Sequence, residues 1–169
     1  GKSRTILKDV SLSIAPREFV ALVGGSGTGK STLMNALSGY VPASAGQVLV
    51  NGDDYYRNFD AYRTLLGYVP QDDIIHRTLP VDRALAYAAE LRLPADTKPA
   101  EIAQRIERVL DDVEMTPHRD KLVENLSGGQ RKRVSIGAEL LADPSLFFLD
   151  EPTTGLDPGL EKKMMYTLR

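Results

Sequence analysis

An α/β fold with an inserted all-helical subdomain is what this 169-residue sequence predicts, and three observations carry the prediction. Two continuous apolar runs, FVALV at 19–23 and LFFL at 146–149, have the pattern of strands buried on both faces. A helix follows the first run and another precedes the second, so strand, helix and strand alternate. Between them, the stretch from 81 to about 141 reads as successive helices.

Taken in order, ILKDVSLSI at 6–14 alternates apolar and polar residues, as a half-buried strand does. The run at 19–23 feeds a glycine-rich loop and a helix over 30–38, stopped by Gly39. Further strands are expected at 46–50 and 65–69, the second ended by Pro70. Helices are expected over 81–93, over 99–115 and from the turn at 127 to about Leu141. The 99–115 helix places Ile102, Ile106, Val109, Leu110 and Val113 on one face and reads as an ordinary core-facing helix. The strand at 146–149 then ends in Asp150 and Glu151. Neither an internal repeat nor a low-complexity tract is present.

Composition narrows the classes of function. The chain is 42% hydrophobic and 26% charged, with a net charge of −2, so it has no general attraction for nucleic acid or an anionic membrane. An anion site must therefore be local. There are no cysteines, which excludes disulfide and thiol chemistry and fits a reducing compartment. No apolar run approaches the roughly 18 residues of a membrane span, and the opening lacks a signal-peptide pattern. A membrane role would need a partner or a segment outside this chain.

The loop GGSGTGKST fits G-x-x-x-x-G-K-[ST] and lies between a predicted strand and a predicted helix, the context that such a loop requires. Glycines let the backbone wrap a triphosphate with its amides pointing inward, at the positive end of the helix. Lys30 would set its charge on the β- and γ-phosphates, and the Ser31 hydroxyl would ligate Mg²⁺. At the far strand end, Asp150 stands where a carboxylate can hold the Mg²⁺ shell. Glu151, one residue on, points elsewhere and could polarise an attacking water.

LSGGQRKRVS at 126–135 opens a second helix with a second small turn. Ser127 can cap that helix, and the amides after it form another anion-binding end. Arg131, Lys132 and Arg133 crowd a positive helix end, which costs a few tenths to about 1 kcal/mol unless an anion or acidic partner is near.

GGSGTGKST, Gln71 after LLGYVP, LSGGQ, LFFLDEP and TGLD stand in the order of an ATP-binding-cassette ATPase, and the chain resembles that family from Gly24 to Asp157. RKRVSIGAELL and DEPTTGLDP look most like the White-type, or G, subfamily. The resemblance implies a P-loop NTPase core sheet with an N-terminal antiparallel β portion and an inserted all-helical signature subdomain. Core would be about 1–70 and 143–169, and the helical part about 71–142, within a single domain truncated at its C-terminus. By the same resemblance Gly24, Gly25, Ser26, Gly27, Thr28, Gly29, Lys30, Ser31 and Thr32 form the Walker A loop, and Ser127, Gly128, Gly129 and Gln130 the signature. Gln71 is the Q-loop glutamine, reaching Mg²⁺ and the attacking water; Asp150 is the Walker B aspartate and Glu151 the catalytic base. Asp157 belongs to the D-loop. Two MgATP would be sandwiched in a head-to-tail dimer, the signature of one copy closing on the Walker A loop of the other.

The implied activity is ATP hydrolysis driving transport, with export the direction that family analogy suggests, at the cytoplasmic face of a membrane. A transmembrane domain would be met through the region 71–80, where Ile74 and Ile75 either grip a partner's coupling helix or tuck under the following helix. The family's adenine-stacking aromatic has no counterpart before Phe19, and its switch histidine falls beyond Arg169. His76 and His118 read as surface histidines. Two competing readings stay open: a soluble cassette ATPase of translation or DNA repair, and a regulatory module that binds nucleotide without turnover. No nucleic-acid partner is expected for the transporter reading.

Overall fold

Two strands far apart in sequence lie side by side in the computed structural model of the chain, which describes residues 5–152 together with 159, 162, 165 and 166. The contacts divide it into two units, one ending at Tyr62 and the other beginning at Arg63.

The first unit contains helix α1 (Lys30–Leu37), strands β1 (Leu49–Val50) and β2 (Asp53–Asp54), and a single helical turn α2 (Phe59–Tyr62). Helix α1 ends at Ser38 and turns at Gly39, whose φ is 73°. A Cβ there would meet the Phe59 ring at 2.7 Å and the Tyr55 ring at 2.9 Å, so dihedral and close approach both demand glycine. Tyr55 is fully buried, stacks edge-on with Phe59 and donates from its hydroxyl to the Ser38 carbonyl at 2.8 Å. Strands β1 and β2 pair antiparallel across Asn51 and Gly52, both at positive φ. That is the primed two-residue turn that Asn-Gly favours, because it matches the twist of the flanking strands.

The expected strands at 6–14 and 19–23 are not formed among the described residues. Both stretches are largely exposed, with Val23 at 92% and Ile6 at 60%. An apolar run becomes a strand only when neighbouring backbones take up its amides and carbonyls, and no described strand pairs with either stretch. The one backbone bond recorded there is the local turn from Glu18 N to Ala15 O. For the same reason the strand expected over 46–50 shortens to its last two residues.

The second unit is built as the sequence predicts. Strands β3 (Leu66–Val69) and β4 (Leu146–Leu149) pair in parallel, Leu66 opposite Leu146 and Val69 opposite Leu149. Helices α3 (Val81–Arg92), α4 (Pro99–Asp112) and α5 (Gly128–Leu140) pack on one another, and α5 packs on β3. Their shared core includes Val81, Leu85, Leu110, Val113, Val134 and Ile136, all fully buried. At about 1.5–3 kcal/mol for each large apolar side chain withdrawn from water, this cluster dominates the unit's stability. Pro99 opens α4 at a position where its missing amide costs nothing. Helices α4 and α5 touch closely at Gly137, where an added Cβ would lie 2.8 Å from Val109 Cγ1.

Candidate nucleotide-binding site

The loop before α1 has the backbone that its glycines allow. Gly27 and Gly29 sit at φ 75° and 95°, and Gly29 caps the helix without any side-chain hydrogen bond. The N-cap thus takes up none of the first-turn amides of α1, the donors that a helix start offers to an anion. Thr28 donates from Oγ1 to the Gly25 carbonyl at 2.9 Å, closing the loop on itself. Lys30 curls back over it, its ammonium donating to the carbonyls of Gly24 and Gly25 at 2.9 and 2.8 Å. Ser26, Ser31 and the Gly24–Gly25 pair are exposed, and Thr32 is half-buried.

A second group of residues gathers where β3 and β4 end. The Asp150 amide donates to the Val69 carbonyl at 2.9 Å, adding one rung to the parallel ladder. Asp150 and Gln71 thus leave from adjacent strand ends on the carboxyl side of the sheet, where open α/β sheets place their ligands. Glu151 then adopts φ 49°, a left-handed turn that costs a non-glycine residue roughly 1–2 kcal/mol and swings its side chain off the strand's alternation. The result is a contact: Gln71 Nε2 donates to Glu151 Oε2 at 3.4 Å. The contact uses the amide nitrogen of Gln71 and leaves its Oε1 for another partner.

Helix α5 carries the third group. Ser127 caps it with a reciprocal pair: its hydroxyl accepts from the Gln130 amide at 3.3 Å, while Gln130 Oε1 accepts from the Ser127 amide at 3.0 Å. This satisfies one first-turn donor; of the two glycines that follow, Gly128 is exposed and Gly129 is buried. Gln130 also reaches His118, Nε2 to Nε2 at 2.9 Å, so His118 is not the free surface histidine expected but a half-buried support of the turn. No local pattern signals this contact, because Gln130 lies 12 residues downstream of His118 and on another element. His76 is exposed, as expected.

The three cations after the turn are answered within the chain. Arg131 donates to the Leu126 carbonyl and lies 3.9 Å from Asp73. Arg133 donates to the carbonyls of Val113 and Glu114, just past the end of α4, where a cation suits the helix dipole. Lys132, only 3% exposed, reaches the carbonyls of Pro70, Gln71 and Asp150 at 2.7, 2.9 and 3.5 Å. Burial holds its ammonium below the usual lysine range, against the pull of Asp73 and Asp150. Asp73 is displaced upward by burial, which outweighs Lys132 and Arg131. The positive cluster at this helix end therefore needs no external anion.

Within the region 71–80 the two isoleucines part company. Ile74 is 81% exposed, whereas Ile75 packs on the helical core. Past them the backbone is laced to the segment before Ser127: Leu79 and Arg77 accept from Val123 and Glu124, and Lys121 and Arg119 accept from Val81 and Asp82, all near 3.0 Å.

Of the residues expected to hold Mg²⁺, Gln71 and Asp150 leave adjacent strand ends of the second unit and Ser31 belongs to the first; amide, carboxylate and hydroxyl oxygens are the donor types that a hard cation takes alongside phosphate and water. Among the described residues no cluster of three His, Asp or Glu offers an all-protein cage, which such a cation does not require. The D-loop residue Asp157 lies outside the described residues. Also among the described residues, no helix is long and apolar enough to cross a membrane.

Comparison with known proteins follows the same lines. The family model described as ABC transporter matches residues 7–154. The chain is 47% identical over 98% of its length to an ABC transporter ATP-binding/permease protein of Mycobacterium tuberculosis, and spans 19% of that protein. It is 39% identical over its whole length to ABC transporter G family member 28 of Arabidopsis thaliana, spanning 16% of it. With G family member 8 of Dictyostelium discoideum the identity is 41% over 99% of this chain and 28% of that one. A solved dimeric structure of a post-hydrolysis ATP-binding cassette with ADP and Pi superposes with a TM-score of 0.86 at 27% identity, covering 96% of this chain and 73% of that one.

Proposed function

The chain belongs to the ABC transporter family, as one of its ATP-binding domains with a P-loop NTPase fold, and from that premise we propose that it is the ATP-hydrolysing motor of a membrane exporter. The observation that carries the reading furthest is the contact of Gln71 with Glu151, which joins the expected Q-loop glutamine to the expected general base.

In this reading the Lys30 ammonium exchanges its two loop carbonyls for the β- and γ-phosphate oxygens of ATP, whose charge makes them stronger acceptors. The amides of the 24–32 loop and the start of α1 take the remaining phosphate oxygens. Ser31, Gln71 and Asp150 would be the residues to hold Mg²⁺, whose chemistry there would be to offset phosphate charge. Glu151 accepts a proton from the attacking water, and Gln71 holds that carboxylate in aim. Ser127, Gly128 and Gly129 of a second copy supply the last donors. Because that turn gains its anion only when two copies close, ATP favours the closed dimer and hydrolysis releases it. Asp157, outside the described residues, would belong to that dimer boundary by the family resemblance. A transmembrane domain meets the 71–80 region through Ile74, at the cytoplasmic face of the membrane, and converts closure into transport.

ATPase measurements on the full-length protein in lipid vesicles test the reading. Steady turnover is expected for the wild type and none above background for Lys30→Ala. ATP binding without turnover in the wild type would instead point to a regulatory module.

A further inference from the structure

Lys132 is the cation of the 131–133 cluster that donates to main-chain carbonyls at the ends of both strands. An ammonium carries three donors and no acceptor, and three carbonyl oxygens face this one. Two belong to the segment leaving β3 and the third to the end of β4. Filling space does not account for it, since a methionine would fill the same volume and avoid burying a charge. Nor does the ladder, whose last recorded rung is Asp150 N to Val69 O. What the side chain does is hold three main-chain points at fixed separation from α5, the helix that Ser127 opens.

We infer that Lys132 is a positioning residue for ATP hydrolysis: it fixes the main chain at Gln71 and Asp150, and through it the approach of Gln71 to Glu151. This deepens the proposed function and rests on it. Glu151 follows Asp150 directly and Gln71 is itself gripped, so releasing the ammonium frees both partners of the 3.4 Å contact. A misplacement of about 1 Å in a catalytic group costs on the order of 10²-fold in rate. All three of its hydrogen bonds go to the strand ends, so the rate is expected to fall and the affinity for ATP to change little.

The test uses Lys132→Met and Lys132→Gln in the full-length protein. Steady-state ATPase, ATP affinity and amide hydrogen exchange across 71–73 are read for each. Met has no donor; Gln has two amide hydrogens for the three carbonyls. The expected result is a fall in kcat of roughly 10- to 100-fold for Lys132→Met. A smaller fall is expected for Lys132→Gln, with KM within about twofold of wild type and faster exchange at 71–73 in both. Should Lys132→Met fail to fold, Lys132→Gln decides alone. Wild-type kcat with unchanged exchange overturns the inference. So does a joint loss of kcat, ATP affinity and melting temperature, the mark of a merely structural lysine. If the wild type itself does not turn over ATP, the motor reading fails, and exchange at 71–73 still reports whether Lys132 holds the strand ends.

Discussion

The side-chain amide of Gln71 meets the carboxylate of Glu151 at 3.4 Å, across the ends of two parallel strands that are neighbours in space and 80 residues apart in the chain. The glutamine needs no negative charge to act on nucleotide; the glutamate needs its charge to take a proton. Glu151→Gln is therefore expected to keep ATP binding, to lower turnover by at least about 100-fold and to accumulate an ATP-bound closed dimer. Turnover by radioactive phosphate release and dimerisation by light scattering measure the two effects. Hydrolysis at the wild-type rate would remove Glu151 from the role of base.

Two substitutions at Ser127 separate its jobs. Ser127→Ala removes the hydroxyl that accepts the Gln130 amide and should cost about 1 kcal/mol of stability, read from thermal unfolding. Ser127→Arg adds a bulky side chain at an exposed turn. It should abolish ATP-dependent dimerisation in the Glu151→Gln background while ATP affinity stays unchanged. A dimer that still forms would argue against closure over this turn.

The two isoleucines after Gln71 make opposite predictions. Ile75→Ala should cost about 2 kcal/mol, because that side chain packs on the helical core. Ile74→Ala should change stability by no more than about 0.5 kcal/mol, because it is largely exposed. The chain has no cysteine, so Ile74→Cys offers a unique thiol within it for crosslinking to the membrane portion. Crosslinks at 74 with none at 75 are the expected pattern; crosslinks at neither would leave 71–80 without a membrane partner.

Glu139 gives a pH dependence of defined sign. Burial raises its pKa above 4.5, outweighing Arg92 and the Tyr68 amide that donates to it at 3.1 Å. The folded chain keeps this proton to higher pH than the unfolded one, so stability falls as pH rises upward from 4.5. Glu139→Gln lacks the titration. The melting temperature of the wild type minus that of the variant should be greatest near about pH 4 and shrink towards neutrality. A difference that stays constant across that range would exclude a raised carboxyl at 139.

Legibility in the sequence followed the range of the forces involved. Helices α3, α4 and α5 and strands β3 and β4 were readable because their signals are local: a 3.6-residue apolar period, Pro99 at a helix start, LFFL before two acids. The glycine loop and the Ser127 turn were readable for the same reason. The 19–23 run misled, because an apolar strand is only an offer of hydrogen bonds that a neighbour must accept. Asn51-Gly52 was a legible hairpin signal that the apolar pattern of 46–50 overshadowed. Lys132 and His118 could not be read at all. Nothing in a single sequence says that a lysine in a basic run turns inward to main-chain oxygens, or which glutamine a histidine will touch.

The lacing of 77–82 to 119–124 has a consequence for variation. Every one of its bonds joins an amide to a carbonyl, so exchanging side chains there leaves it intact. Only a proline at a donating position, or a change in the number of residues, cuts it. Outside the buried Val81 and Val123 and the core-packed Leu79, the segment should accept many compositions and almost no insertions. Two relatives could differ at its exposed positions and still carry the same strap between the glutamine loop and the serine turn.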